Sequence, residues 1–171
     1  IEAGLRSENL FEPFPEEISR IIADRLSDIL FAVSKRAERN LRKYRSKKKI
    51  YLVGNTIIDS VYIAYNLSIK RKIKPLTNDK FALISIHRHE NIKNKKRLGD
   101  VVNILSSVKV KSFFPLHDNT KKRLIEFGIY NKIKENKKIN IINPLDYVNF
   151  IYQLSKCSLI ICDGGSIQEE S

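Results

Sequence analysis

The chain has 171 residues, 42% apolar and 30% charged, with no apolar run long enough to span a membrane as a helix and no basic-then-apolar leader at its start. Lysine and arginine outnumber acids 32 to 19, a net charge of +13, yet the cations gather in polar connections with Tyr44 as the only aromatic among them, which argues against a nucleic-acid partner. Cys157 and Cys162, in or beside apolar stretches and without a second pair, support neither a disulfide framework nor a zinc site and are expected as buried thiols of a cytoplasmic protein.

In chain order, Ile1 to Arg6 is expected to end a strand and enter a turn at Gly4. A loop with Pro13 and Pro15 follows, and Pro15, Glu16 and Glu17 place a proline and two acids where a first helical turn favours them. Ile18, Ile21, Ile22 and Leu26 carry helical spacing to about Ser27. Residues 29–33 form a short buried strand, Ser34 caps a basic helix to about Tyr44, and residues 50–53 form a second strand stopped by Gly54 and Asn55. Thr56 opens a helix with Ile57, Ile58, Val61, Tyr62 and Tyr65 on one side.

The polar, basic stretch 70–79, which contains Pro75, is the expected linker between a first domain, 1–69, and a second, 80–171. Beyond it come a strand at 81–86, a polar turn, a helix at 96–107, a strand at 108–114 ended by Pro115, and a helix from 120 to about 127. A strand at 139–142, a helix at 146–154 and a strand at 159–162 complete the series. Strand alternating with helix on both sides of a linker predicts an α/β protein of two doubly wound, Rossmann-like parallel sheets with ligands at the carboxyl ends of strands. The lack of any methionine, even at position 1, and a stop at Ser171 one turn into a helix imply an internal segment of a longer chain, with both sheets incomplete.

Chemistry-bearing residues cluster at these strand ends. After the last strand, Asp163, Gly164, Gly165 and Ser166 form a tight turn into a helix, where glycines let backbone amides approach an anion and the helix end adds its positive dipole. Ser166 is placed to cap that helix or touch phosphate, and Glu170, a turn further in, to accept hydrogen bonds from sugar hydroxyls. All three histidines follow strands: His87 and His89 in one turn, His117 in another. There a histidine can move protons near neutral pH and Arg88 can clamp phosphate, while Glu90 can fix a histidine tautomer. His87 and His89 with one acid have the makings of a metal site, but no metal is expected. Two acids in the first domain complete the set: Glu16 at a helix start, and Glu2, whose carboxylate at an apolar strand end is costly without a purpose. Paired carboxylates opposite a histidine suit removal and return of a proton on carbon.

Six segments then carry a resemblance: Glu2 to Arg6 (EAGLR), Pro15 to Glu17 (PEE), Gly54 to Asp59 (GNTIID), His87 to Asn91 (HRHEN), Pro115 to His117 (PLH) and Asp163 to Glu170 (DGGSIQEE). In their order and spacing, along the whole chain, they resemble UDP-N-acetylglucosamine 2-epimerases of the non-hydrolysing kind. The resemblance implies a GT-B-like fold and interconversion of UDP-N-acetylglucosamine and UDP-N-acetylmannosamine, by UDP elimination and readdition with C2 inverted. No cofactor is implied. Glu2, Glu16 and His87 match catalytic positions, Phe150 a residue near uracil, Gly164, Gly165 and Ser166 a diphosphate cradle, and Glu170 the ribose carboxylate. Arg88 and His117 match positions holding a second UDP-N-acetylglucosamine as activator, a set that hydrolysing relatives tend to lack. The family also implies a homodimer when full length, serving cell-surface polysaccharide. Two departures stand out: the family turn usually reads Asp-Ser-Gly-Gly, so that Gly164 and Ser166 are exchanged, and Leu145 stands where a glutamine often contacts uracil. The alternatives are a hydrolysing epimerase and a GT-B glycosyltransferase, which has no need of Glu2, Glu16 and His87 together.

Overall fold

The computed structural model describes residues 1–11, 14–45 and 47–171; Pro13 of the expected loop lies outside them. The chain divides into two compact units, Ile1–Asp59 and Ser60–Ser171. The division falls before the 70–79 stretch, because residues of the preceding helix are already buried with the second sheet.

In the first unit the elements are α1 (Glu16–Leu26), β1 (Ile29–Ala32), α2 (Lys35–Leu41) with a 3-10 turn at Arg42–Tyr44, and β2 (Lys49–Leu52). β1 and β2 run parallel, from Ile29 opposite Lys49 to Ala32 opposite Leu52. Ala3 adds a single parallel bridge to Ala32 on the other side of β1. Ser34 caps α2 as expected, its Oγ accepting from the Ala37 N–H at 3.1 Å. Small and branched residues, Ala3, Leu30, Ala32, Ala37 and Leu41, form the core between α2 and the strands.

The remaining elements are α3 (Thr56–Lys70), β3 (Ala82–Ser85), α4 (His89–Lys93), α5 (Lys95–Ser106), β4 (Ser112–Pro115), α6 (Asp118–Glu126), α7 (Tyr130–Lys134), β5 (Ile139–Ile142), α8 (Tyr147–Lys156), β6 (Leu159–Cys162) and α9 (Gly165–Glu170). Their strands form one parallel sheet in the order β5-β4-β3-β6. Every residue of β3 and β4 is buried, which is why these segments read as continuous apolar runs: a parallel sheet is covered on both faces. Successive side chains point to opposite faces, so Ile84 and Phe114 join one core with Leu98, Leu105 and Leu124, while Leu83 and Phe113 join another with Ala64, Ile151 and Leu154. Gln153, almost fully buried in α8, ties down the 74–76 stretch: its amide donates to the Lys74 carbonyl and accepts from the Leu76 N–H, each at 3.0 Å.

Several details differ from expectation. The strand expected at 108–114 begins only at Ser112 and includes Pro115. That proline lies beyond the β3 pairing, which ends at Phe113, so its missing N–H breaks no ladder on that side. The polar turn after β3 contains the short helix α4, and α7 was not foreseen. The buried stripe of α3 runs through Ala64 and Ser68 with Val61 and Tyr65 beside it, whereas Ile58 and Tyr62 are exposed. Cys157 and Cys162 are half-buried rather than buried. Among the described residues no helix is long and apolar enough to cross a membrane.

Candidate active site

At the carboxyl ends of β3, β4 and β6 the second sheet gathers the histidine and glycine turns. Ser85 and Cys162 are register partners, so the turns that leave β3 and β6 start side by side. Asp163, just past β6, reaches across: its Oδ1 accepts from the His87 N–H at 3.0 Å and its Oδ2 from the Arg88 N–H at 2.9 Å and the Asn91 amide at 3.0 Å. The His87 ring lies near the Ser85 hydroxyl, the His117 ring and the glycine turn. Nδ1 is 3.3 Å from the buried Ser85 hydroxyl, and the His117 ring, arriving from β4, stands edge-on with centroids 5.9 Å apart. Nε2 faces the glycine turn, 3.8 Å from where a Cβ of Gly164 would lie. His87, Arg88 and His117 are all exposed, open to a ligand at the strand ends.

Gly164 is the N-cap of α9 and the helix begins at Gly165; no side chain caps it. Ser166 therefore sits inside the first turn and does not cap, so of its two expected roles only the phosphate contact is left. The Gly165 and Ser166 side of the turn is exposed and nothing stands within 4 Å of a Cβ at Gly165, leaving room for an anion against the backbone. Glu170 is half-buried, and burial, helped by the charge of Glu169, raises its carboxyl above the ordinary value of 4.5; a hydrogen bond with the Tyr147 hydroxyl opposes the rise. Burial and the Glu170 charge raise the Tyr147 hydroxyl in turn. Phe150 lies half-buried on α8, packed against the core that contains Leu83 and Phe113. That helix is capped by Asp146, which accepts from the Asn149 N–H at 3.0 Å.

Glu2 and Glu16 belong to the first unit. Glu2 is exposed, not wedged among apolar groups, so the expected burial cost does not apply. It does hold a left-handed backbone, φ 56°, a conformation that non-glycine residues adopt at a cost and that recurs at functional sites. The adjoining segment is anchored by two buried acids of α1. Asp24 accepts from the Gly4 N–H at 3.1 Å and pairs with Arg6 at 2.6 Å, and Glu17 accepts from the Ser7 N–H at 2.9 Å. Gly4 itself, φ 81°, admits no other residue, since a Cβ there would collide with the Ala37 carbonyl. Glu16 is exposed at the first turn of α1. Among the described residues no three His, Cys, Asp or Glu side chains converge as metal ligands would.

Ser85, Tyr147 and Asp24 escaped sequence reasoning as site-building residues; Glu17 entered it only as a first-turn acid and Asp163 only as part of the glycine turn. Asp163 carried the clearest signal, an acid directly after an apolar strand; the pairing of the others depends on neighbours far along the chain.

Two units built on parallel strands, with histidine and glycine turns at the carboxyl ends of the second sheet, define an α/β protein of the GT-B-like class. A family profile described as UDP-N-acetylglucosamine 2-epimerase matches residues 1–171. The chain belongs to this family. It is 39% identical to the UDP-N-acetylglucosamine 2-epimerase of Methanocaldococcus jannaschii, the match covering 100% of this chain and 49% of that protein. The crystal structure of the Methanocaldococcus jannaschii enzyme in complex with UDP-GlcNAc and UDP superposes with a TM-score of 0.83 at 37% identity, over 99% of this chain and 49% of that one. The Neisseria meningitidis enzyme bound to UDP-GlcNAc gives a TM-score of 0.79 at 31% identity, over 99% and 48%. The chain thus spans about half the length of the curated relatives it matches.

Proposed function

We propose that the complete protein carrying this chain interconverts UDP-N-acetylglucosamine and UDP-N-acetylmannosamine. A base takes the C2 proton, the C–H electron pair becomes the C1–C2 double bond, and UDP departs with the C1–O pair. A proton then reaches C2 of the 2-acetamidoglucal from the opposite face, and a β-phosphate oxygen restores the bond to C1. Glu2, Glu16 and His87 carry the proton transfers. Gly164, Gly165 and Ser166 cradle the diphosphate, Glu170 holds the ribose and Phe150 packs near uracil. Arg88 and His117 serve a second UDP-N-acetylglucosamine that activates the enzyme. Residues 80–171 are the first part of the UDP-binding domain, and 1–69 the last part of the domain before it, joined by 70–79. The protein works in the cytoplasm as a homodimer and supplies polysaccharide synthesis.

The observation that supports this reading most is the closeness of His87 Nε2 to the Gly164 turn, a proton-transfer group beside a diphosphate cradle. The relatives solved with UDP-GlcNAc add to it. The test is deuterium uptake: the complete protein, given UDP-N-acetylglucosamine in deuterated water, is expected to place one deuterium at C2 of both UDP-sugars. His87→Ala should slow that exchange by about 10²–10⁴-fold. Unlabelled sugar, or transfer to an acceptor, would sink the reading; release of free N-acetylmannosamine would convert it to the hydrolysing reaction.

A further inference from the structure

The proposed chemistry leaves Asp163 without a part, although it is the most heavily bonded acid at the strand ends. Both of its carboxylate oxygens are committed to protein donors, two of them the consecutive backbone N–H groups of His87 and Arg88. A carboxylate that receives two consecutive amides fixes the direction of the peptide between them, here the one that aims the His87 ring and starts the Arg88 side chain. Arg88 is also the N-cap of α4 and no side chain of its own turn caps that helix. Among the described residues, Asp163 is the side-chain acceptor that holds these amides.

We infer that Asp163 is a positioning residue for the reaction proposed above, and that it holds the His87–Arg88 turn against the glycine turn without itself touching the sugar nucleotide. The inference rests on that functional reading for its consequence but not for its geometry. From β6, Asp163 connects the two turns directly: its own N–H donates to the Ser85 carbonyl at 3.3 Å, and the next residue, Gly164, is the one His87 Nε2 faces. Proton transfer requires its groups in place to a fraction of an ångström, so a slack turn lowers turnover before it lowers binding. An asparagine has the same shape but only one accepting oxygen, and its NH2 would face one of the N–H groups that Asp163 now receives.

The test uses the complete protein, wild type and Asp163→Asn. In Asp163→Asn, kcat at saturating UDP-N-acetylglucosamine is expected to fall about 100-fold, while Kd for UDP stays within about threefold. Amide exchange followed by NMR should be slow at His87 and Arg88 in the wild type and faster in the variant. A kcat within about threefold of wild type, or a UDP Kd that weakens in step with kcat, overturns the inference. If the wild type places no deuterium at C2, the functional reading alone fails, and exchange decides for Asp163: faster exchange in the variant upholds the clamp, equal exchange overturns it. Should Asp163→Asn not fold, the wild type suffices, because unprotected His87 and Arg88 amides overturn the inference by themselves.

Discussion

Single residues decide how the turns are shaped and charged. Glu170 shows how burial and neighbours act together. Its carboxyl titrates above the ordinary 4.5 because burial disfavours the charged form and Glu169 adds like charge, while the Tyr147 hydrogen bond favours ionisation. In the role proposed for Glu170, ribose hydroxyls would donate to the ionised form, so UDP affinity should be full above this raised pKa and fall as pH drops through it, earlier than for an ordinary glutamate. Calorimetric titration of UDP over about pH 4 to 7 reads this limb. Glu169→Gln should move its midpoint down and Tyr147→Phe should move it up; no movement in either would detach Glu170 from nucleotide binding. For folding the sign is reversed: a carboxyl raised in the folded state contributes stability below its unfolded pKa, and that contribution is lost as pH rises through the folded value. His87 shows a second kind of control, with Ser85 at Nδ1 and the glycine turn beside Nε2.

At the scale of elements, α1 and α2 work as anchors for the segment that carries Glu2, which forms a single bridge at Ala3 in place of the expected strand. Gly4 stands between them: its N–H goes to Asp24 of α1 and its carbonyl accepts from the Asn40 amide of α2 at 2.8 Å. The left-handed φ and the contact with the Ala37 carbonyl leave an alanine no conformation there. Gly4→Ala should therefore cost about 3 kcal/mol or more, measured by denaturant unfolding of the complete protein. A loss below about 1 kcal/mol would show that the segment shifts freely and that Glu2 is not held by this anchor. Most elements were legible in the sequence, because apolar period and turn residues act locally: the strands at 139–142 and 159–162 and the capped helices after Ser34 and Asp146 lie where expected. Those that were missed have weak local signals. α4 is five residues of polar sequence set by its docking, and the α3 face was misjudged because Ile58 and Tyr62 are as apolar as the residues that pack.

At the scale of the whole molecule, the net charge of +13 gives a positive field that favours encounter with a doubly charged nucleotide. The proposed activation by a second UDP-sugar is tested at this scale. His117→Ala should flatten activation by added UDP-N-acetylglucosamine, measured as UDP-N-acetylmannosamine consumption with and without it, more than it lowers the activated rate; an unchanged activation curve would remove His117 from that role. The sequence alone determined the α/β class, the positions of the turns and the family, since each rests on short-range pattern: strand period, glycine turns and ordered motifs. Only the tertiary structure decided which groups meet. Asp163 lies 76 residues from His87 in sequence, and their bond exists because β3 and β6, far apart in the chain, are neighbours in the sheet. No local pattern encodes that adjacency. It follows from the crossovers that bury both faces of the sheet, and it is what turns three separate strand ends into one site.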